Sequence, residues 1–421
     1  MTEERVLVVG QGYVGLPLAM RAVEVGFDVI GFDLDDRKVK ALSAGESYIE
    51  DITDERLQAA LDTGRYRATT SIDDVAGFDV AMISVPTPLK EGVPDLEFME
   101  DAARQLSPKV TRGCTVILES TTYPGTTEEL IAPILEEGSG LHAGPDFHLG
   151  YSPERIDPGN PTWTLENTPK VVSGIDEASL AKVQGFFDRI VERTVRVSSP
   201  KEAELTKLLE NTFRHVNIAL VNELAMFAHD LGIDVWEAID AADTKPFGFM
   251  KFTPGPGVGG HCLPVDPSYL SWQVKRSLGT SFRFVDLANE VNDHMPDYVV
   301  RRLTAGLNKH KKPVNGSRIL LLGLAYKKNT GDAREAPSRA IARQLQDLGA
   351  DVRAIDPHVA ERDVPAGVTM TDLTADELAA ADAAVLIVDH DGFNADIICR
   401  KSNYVLDCRR ALPDEPCVDH L

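Results

Sequence analysis

The chain has 421 residues and carries 43 Lys and Arg against 66 Asp and Glu, a formal net charge of −23. Its length corresponds to roughly two or three domains, and its 43% apolar and 26% charged fractions are those of an ordinary globular protein. So acidic a surface repels phosphate backbones, which argues against general nucleic-acid binding, and no apolar run reaches bilayer length, which argues against a membrane protein.

The opening Met1-Thr2-Glu3-Glu4-Arg5 leads straight into Val6-Leu7-Val8-Val9, without the basic, apolar and cleavage regions of a signal peptide. A cytoplasmic protein is therefore expected. The five cysteines, Cys114, Cys262, Cys399, Cys408 and Cys417, are odd in number and scattered, with no CxxC. That pattern argues against a disulfide framework and against a metal site.

In chain order, Arg5 to Gly10 reads as a strand ending in glycines, Leu16 to Gly26 as a helix, and Phe27 to Asp33 as a second buried strand. Further strands are expected at Val80–Val85, Thr115–Glu119 and Phe147–Tyr151. Strands alternating with helices indicate a parallel sheet with crossover helices. Ser199-Pro200-Lys201-Glu202 then starts a helix, with Ser at the N-cap, Pro at N1 and Glu at N3. Helical periodicity continues to about Leu231, roughly 45 Å at 1.5 Å per residue. A Pro/Gly-rich stretch runs from Lys245 to Gly260, and Lys309 to Asn315 reads as a basic linker. Strands at Arg318–Gly323, Asp351–Asp356, Ala383–Val388 and Tyr404–Asp407, with a helix at Ser338–Leu348, form a second α/β domain of nucleotide-binding type. The two α/β halves share a pattern and not a sequence repeat.

Gly10-Gln11-Gly12-Tyr13-Val14-Gly15 fits G-x-G-x-x-G between a strand and a helix, with Asp33 closing the next strand about twenty residues on. The glycines allow a tight turn and close approach of a pyrophosphate, and the helix N-terminus favours its charge. Asp33, with Asp35 and Asp36 nearby, favours a free ribose 2′-hydroxyl, hence NAD over NADP; the motif alone also admits FAD. Gly259-Gly260-His261-Cys262-Leu263-Pro264-Val265-Asp266 is the most unusual segment. Its glycines would let a ligand approach the backbone, and Cys262 would sit in a loop or at a helix N-terminus, where a thiolate is favoured. Asp266 shares its face if that turn is helical. Lys207 and Asn211 lie one turn apart on the long helix, His215 continues their line, and Asn211 and Asn222 stand among apolar residues where they need partners. Glu119-Ser120-Thr121-Thr122 and Ser152-Pro153-Glu154-Arg155 each follow a strand, where active-site residues of such sheets sit.

Together these segments resemble the UDP-glucose/GDP-mannose dehydrogenase family over essentially the whole chain. The matching text is GQGYVGLPLA from Gly10, SVPTPL from Ser84, ESTTYPGTT from Glu119, SPERIDPGN from Ser152, ELTKLLENTFRHVNIALVNE from Glu204, TPGPGVGGHCLPVDP from Thr253 and LGLAYKKNTGDAREAP from Leu322. The resemblance implies two Rossmann-like doubly wound parallel-sheet domains joined by a long central helix and a helical dimerisation region. The divisions would be an NAD-binding domain over 1–198, a central region with the cysteine loop over 199–308, and a UDP-sugar-binding domain over 309–421. It also implies a homodimer.

The implied reaction oxidises a sugar C6 alcohol to the acid with two NAD. Cys262 would form a thiohemiacetal and then a thioester, and water would hydrolyse the latter. Lys207 and Asn211 would stabilise developing oxyanions. Asp266 would hold a water or Lys207 and assist proton transfer; Glu154 and Thr121 would hold or activate the hydrolytic water. NAD would meet Gly10, Gly12, Tyr13, Val14, Gly15, Asp33, Pro86, Thr87 and Thr121. The UDP-sugar would meet Glu154, Arg155, Lys207, Asn211, Gly259, Lys327 and Arg409. GGHCLPVDP after TPGPG, with SPERIDPGN, resembles the branch acting on UDP-N-acetylhexosamines. UDP-N-acetylglucosamine is the expected substrate, ahead of the N-acetylmannosamine and N-acetylgalactosamine nucleotides, with UDP-glucose last.

Two departures stand out. No arginine occurs from Pro246 to Gly260, where the UDP-glucose branch supplies one across its dimer. Asp407-Cys408-Arg409-Arg410 replaces the usual Asp-Thr-Arg-Asn. A two-electron hydroxyacid-type dehydrogenase using Lys207 would leave the cysteine loop and the second α/β domain without a purpose. A nucleotide-sugar binder without turnover would not need Thr121, Glu154, Lys207, Asn211, Cys262 and Asp266 together.

Overall fold

The computed structural model describes residues 4–421 except 50, 76, 91, 158, 159, 161 and 261, and at 262 and 264 it describes the backbone. The chain forms two compact units, Met1–Glu210 and Asn211–Leu421.

The first unit is built on six parallel strands: β1 (Arg5–Val9), β2 (Asp28–Phe32), β3 (Tyr66–Thr69), β4 (Val80–Ile83), β5 (Thr115–Leu118) and β6 (His148–Tyr151). Their spatial order is β3-β2-β1-β4-β5-β6, the doubly wound dinucleotide-binding order. Side chains alternate across the pleat. Val6 and Val8 join one core with Leu16, Met20 and Phe187. Leu7 and Val9 join the core on the opposite face with Ile83, Leu106 and Phe147. Two further parallel strands, β7 (Lys170–Val172) and β8 (Thr194–Arg196), pair beside this sheet.

The second unit repeats the plan. Strands β9 (Arg318–Leu322), β10 (Asp351–Ile355), β11 (Thr369–Met370), β12 (Ala383–Leu386), β13 (Val405–Asp407) and β14 (Val418–His420) lie in the order β11-β10-β9-β12-β13-β14, all parallel. Ile319 and Leu321 face one core, and Leu320 and Leu322 the other. Before this sheet come the helices Cys262–Leu278, Arg283–Asp293 and Met295–Lys309. The last of these supplies Tyr298, Leu303 and Leu307 to the core.

One helix, Pro200–Leu231, begins in the first unit and continues into the second. Its start is fixed by Ser199, whose Oγ accepts the Lys201 N–H at 3.2 Å and bonds the Glu202 carboxylate. The edge strands β3, β11 and β14 and the pair β7/β8 were not expected. They are two to four residues long, and β3, β8, β11 and β14 include half-buried or exposed positions, so they lack a continuous apolar run. Among the described residues, no helix is long and apolar enough to cross a membrane, and Cys114, Cys399, Cys408 and Cys417 are free thiols.

Candidate active site

The turn after β1 is held by backbone contacts that only glycine allows. Gly10 has φ 93°, and a Cβ there would stand 2.4 Å from the Ser84 carbonyl oxygen. A Cβ on Gly15, the first residue of helix Gly15–Glu24, would meet the Gly10 oxygen at 1.9 Å. A Cβ on Gly12 would have nothing within 4 Å, which leaves open space where a pyrophosphate would approach. Tyr13 is exposed and Val14 caps the helix. The Asp33 carboxylate accepts the Gln11 N–H and the Asp35 N–H, both at 2.9 Å, and pairs with Lys38 at 3.1 Å. Tyr48 and Tyr66 brace Gln11 from outside the turn, at 2.5 and 2.8 Å. Across the switch point, Pro86 is exposed and Thr87 buried. Ser120 ties their loop to Thr121 by accepting the Val85 N–H and donating to the Val85 carbonyl, each at 2.9 Å. The residues present fit a dinucleotide.

Beyond the ends of β5 and β6 lies a buried polar cluster. One oxygen of Glu154 accepts the N–H groups of Arg155 and Ile156 at 2.6 and 2.7 Å; the other accepts from Lys170 Nζ at 3.0 Å. Lys170 also reaches Glu119 at 2.5 Å. Lys207 Nζ donates to the main-chain oxygen of Glu154 at 2.6 Å. Burial raises the Glu119 carboxyl well above the usual carboxylate range, and Lys170 only partly offsets it. Burial acts on Glu154 too, but Lys170, the Ile156 N–H and Lys207 outweigh it and hold this carboxyl below its ordinary value. Thus Glu154 and Lys207 are brought together. Arg155 instead forks onto Glu210 at 2.6 and 3.3 Å and donates to the Pro169 carbonyl. Glu204 of the long helix accepts from Gly125 N, Thr127 N and Thr127 Oγ, anchoring the turn that follows Thr121. Its burial pushes its carboxyl up to about 7.

In the second unit, Cys262 is the first residue of its helix, so Asp266 lies one turn on, on the same face. Asp266 is 1% exposed and accepts the Asn211 side-chain amide at 2.5 Å. His261 lies outside the described residues. Asn222 finds its partners: its oxygen accepts the Gly255 N–H at 2.9 Å and its amide donates to Asn292 at 2.9 Å. His215 bonds Asn289 at 2.7 Å, and burial pulls its imidazole below the ordinary value. The glycine run serves packing as much as ligand access. A Cβ on Gly259 or Gly260 would lie 2.6 or 2.7 Å from Tyr326, and one on Gly255 would lie 2.8 Å from Arg409.

The loops at the C-terminal ends of β9, β10 and β12 form a second polar cluster. Asp356 accepts the N–H groups of Leu324, Ala325, His358 and Val359 and bonds His390 Nε2 at 3.1 Å. His390 Nδ1 accepts the Asn329 N–H at 2.9 Å, so its proton sits on Nε2. Asn329, at φ 57°, exchanges two hydrogen bonds with Asp391, which clips the Lys327 loop in place. Arg409 donates to the Ile387 carbonyl at 2.7 Å. Of the two departing residues, Cys408 is buried in the core, while Arg410 pairs with Asp414 at 2.6 Å.

Sequence reasoning did not single out Lys170, Glu204, Tyr326, Asp356 or His390. Asp356 alone left a trace, since it closes the second strand of its sheet as Asp33 does.

Three family descriptions match in succession: the NAD binding domain of the UDP-glucose/GDP-mannose dehydrogenase family over residues 4–191, its central domain over 201–294, and its UDP binding domain over 320–414. A UDP-N-acetyl-D-glucosamine 6-dehydrogenase of Pseudomonas aeruginosa is 37% identical, with 93% of this chain and 92% of that protein covered. A UDP-N-acetyl-D-mannosamine dehydrogenase of Pyrococcus horikoshii is 36% identical, with 93% and 90% covered. The solved structure of the UDP-D-ManNAc dehydrogenase from Pyrococcus horikoshii superposes with a TM-score of 0.91 at 34% identity, covering 99% of this chain and 98% of that one.

Proposed function

Because the chain belongs to the UDP-glucose/GDP-mannose dehydrogenase family and is an NAD-dependent nucleotide-sugar dehydrogenase, we propose that it oxidises C6 of UDP-N-acetylglucosamine to the uronic acid in two steps. NAD, held by the Gly10–Gly15 turn and Asp33, supplies the hydride acceptor for each oxidation. The first step takes a hydride and a proton from the alcohol and leaves an aldehyde. The Cys262 sulfur adds to the aldehyde carbon, and the oxygen takes a proton. Loss of a second hydride and that proton gives a thioester. Water then forms the new C–O bond, the C–S bond breaks, and the thiol is restored.

The observation that carries this reading is the helix headed by Cys262, with Asp266 in its first turn holding the Asn211 amide at 2.5 Å. A helix N-terminus favours a thiolate, and an amide oriented by a buried carboxylate is a ready oxyanion donor. Lys207 supplies the second donor. Glu154, kept ionised, accepts a proton from the hydrolytic water, and Thr121 helps to place that water. Lys327 and Arg409 serve the UDP portion. The three working parts are residues 1–198, 199–308 and 309–421.

The acetamido substrate rests on the text around Cys262, with His261 before it and Val265 between Pro264 and Asp266. The choice of epimer is what the assay decides. Purified protein is given the UDP-linked N-acetylglucosamine, N-acetylmannosamine, N-acetylgalactosamine and glucose in parallel. NADH is followed, and the sugar product is identified by mass spectrometry. The expected result is the highest kcat/KM for the N-acetylglucosamine nucleotide, with two NADH per acid. A preference for N-acetylmannosamine, the sugar named for the Pyrococcus horikoshii relative, would keep the chemistry and replace the substrate. One NADH per sugar would overturn the cysteine mechanism.

The working form is a homodimer. Leu205, Leu209, Phe213, Leu220, Leu224, Phe227 and Leu231 recur at helical spacing along the long helix, and all are more than 40% exposed. A stripe of that size marks an interface. Sedimentation of wild type and Phe227→Glu tests this: a dimer that the substitution dissociates supports it, and a wild-type monomer overturns it.

A further inference from the structure

The reaction as proposed leaves two buried charged residues without work. Lys170, 3% exposed, stands at the head of β7 between Glu119, 0% exposed, and Glu154, 11% exposed, at 2.5 and 3.0 Å. One oxygen of Glu119 is buried with no hydrogen-bond partner. Two carboxylates thus share one ammonium out of water. Stability does not explain such a trio, because apolar residues of the same volume commonly serve as well or better.

The trio does arrange charge around Glu154. Its charged neighbours are Lys170 from β7, Glu119 from the end of β5 across that ammonium, and Lys207 from the long helix, bonded to its main-chain oxygen. The next residue, Arg155, is already matched by Glu210. Lys170 fixes one oxygen of Glu154, and the Arg155 and Ile156 N–H groups fix the other. Glu119 competes for the same ammonium and sets how much of its charge reaches Glu154.

We propose that Lys170 and Glu119 are positioning residues for thioester hydrolysis, Lys170 holding the Glu154 carboxylate in place and ionised and Glu119 tuning that hold. The proposal rests on the role given to Glu154 above. Burial and the neighbouring Glu154 raise the carboxyl of Glu119, while Lys170 and the Ile156 N–H hold that of Glu154 down.

The test isolates hydrolysis. The full-length enzyme is loaded with NAD and UDP-N-acetylglucosamine at about pH 8, jumped to a series of pH values from about 3 to 9, quenched at intervals, and the acyl adduct on the protein is weighed by intact mass spectrometry. Lys170→Met is expected to accumulate the adduct, slow its decay by about thirtyfold, less than the hundredfold or more expected for loss of the general base itself, and move the acidic limb of the decay rate upward by about one pH unit. Lys170→Arg is expected to recover the rate to within about threefold of wild type. Glu119→Gln, which keeps shape and stays neutral, is expected to leave that limb in place and to remove the change in decay rate near pH 7, where Glu119 ionises and draws on Lys170. Should Lys170→Met not fold, the Glu119→Gln profile near pH 7 decides.

Wild-type decay and an unmoved limb in Lys170→Met, or a wild-type profile near pH 7 in Glu119→Gln, with Glu154→Gln slow, would overturn the positioning role alone. Wild-type decay in Glu154→Gln would overturn the role of Glu154 and the positioning claim with it.

Discussion

The sheets of the two units share one strand order and one register between their first two strands, yet those second strands end in carboxylates put to different uses. Arg5 opens β1 opposite Asp28, and Arg318 opens β9 opposite Asp351. The Arg5 N–H bonds Asp79 and the Arg318 N–H bonds Asp382. Gly10 and Gly323 sit at φ 93° and 89° where their first strands end, and a Cβ on either would strike the neighbouring strand's loop. Asp33 then accepts two backbone N–H groups and one lysine. Asp356 accepts four backbone N–H groups and a buried histidine. In the first unit the carboxylate is left fit to meet a ribose. In the second it has become the hub of the loops that carry Lys327. One strand plan thus supports two nucleotide sites by changing what the carboxylate holds.

The largest effects should come from the shared glycines. Gly10→Ala adds a Cβ at a strained φ against backbone, at roughly 3 kcal/mol or more. It should remove NAD binding and leave UDP binding intact; Gly323→Ala should do the reverse, with calorimetry on each variant as the check. Loss of both ligands in either variant would break the comparison. Asp356→Ala should come next, orphaning four N–H groups at about 3 kcal/mol or more. It should lower UDP affinity and the unfolding temperature while sparing NAD. Asp33→Ala should weaken NAD binding by roughly tenfold, about 1.4 kcal/mol, with UDP affinity unchanged.

The smallest effect is in pH. Glu204 has a raised carboxyl, so its contribution is complete below the unfolded value of about 4 and lost as pH rises through about 7. Burial raises the carboxyl of Asp356, but His390 and the backbone N–H groups outweigh it and hold it well below the ordinary range. Its contribution is therefore present above about 4 and lost as pH falls further. Thermal unfolding against pH should flatten between about 4 and 7 in Glu204→Gln, and lose its steep acid limb in Asp356→Asn.

Local chemistry explains what was legible in the sequence. The long helix was read to both ends, because Ser199, Pro200 and Glu202 fix its start and no Pro or Gly interrupts it before Gly232. The dinucleotide turn was legible because each glycine answers a steric need within a few residues. The need of Asn222 for a partner was legible, but the partner, Gly255 N, was not. Lys170 was illegible. At the head of a short strand it reads as a surface cation, and its burial depends on Glu119 and Glu154, 51 and 16 residues away. The likeness of the two sheets was visible only as a pattern, since it resides in register and in the placement of Arg, Asp and Gly at strand ends. That Tyr326 packs against Gly259 and Gly260 was not legible, because spacing along the chain does not show it.

The division between the units falls at Glu210/Asn211, inside an unbroken helix and not in a loop. Anyone dissecting the protein therefore has no neutral place to cut. Truncation at the division would fray both new helix ends, since each loses a turn of backbone hydrogen bonds. It would also part Lys207 from Asn211 and divide the apolar stripe between two fragments. Either piece made alone would expose sticky surface, so poor yield from a half-length gene would report on the cut and not on the fold of the unit.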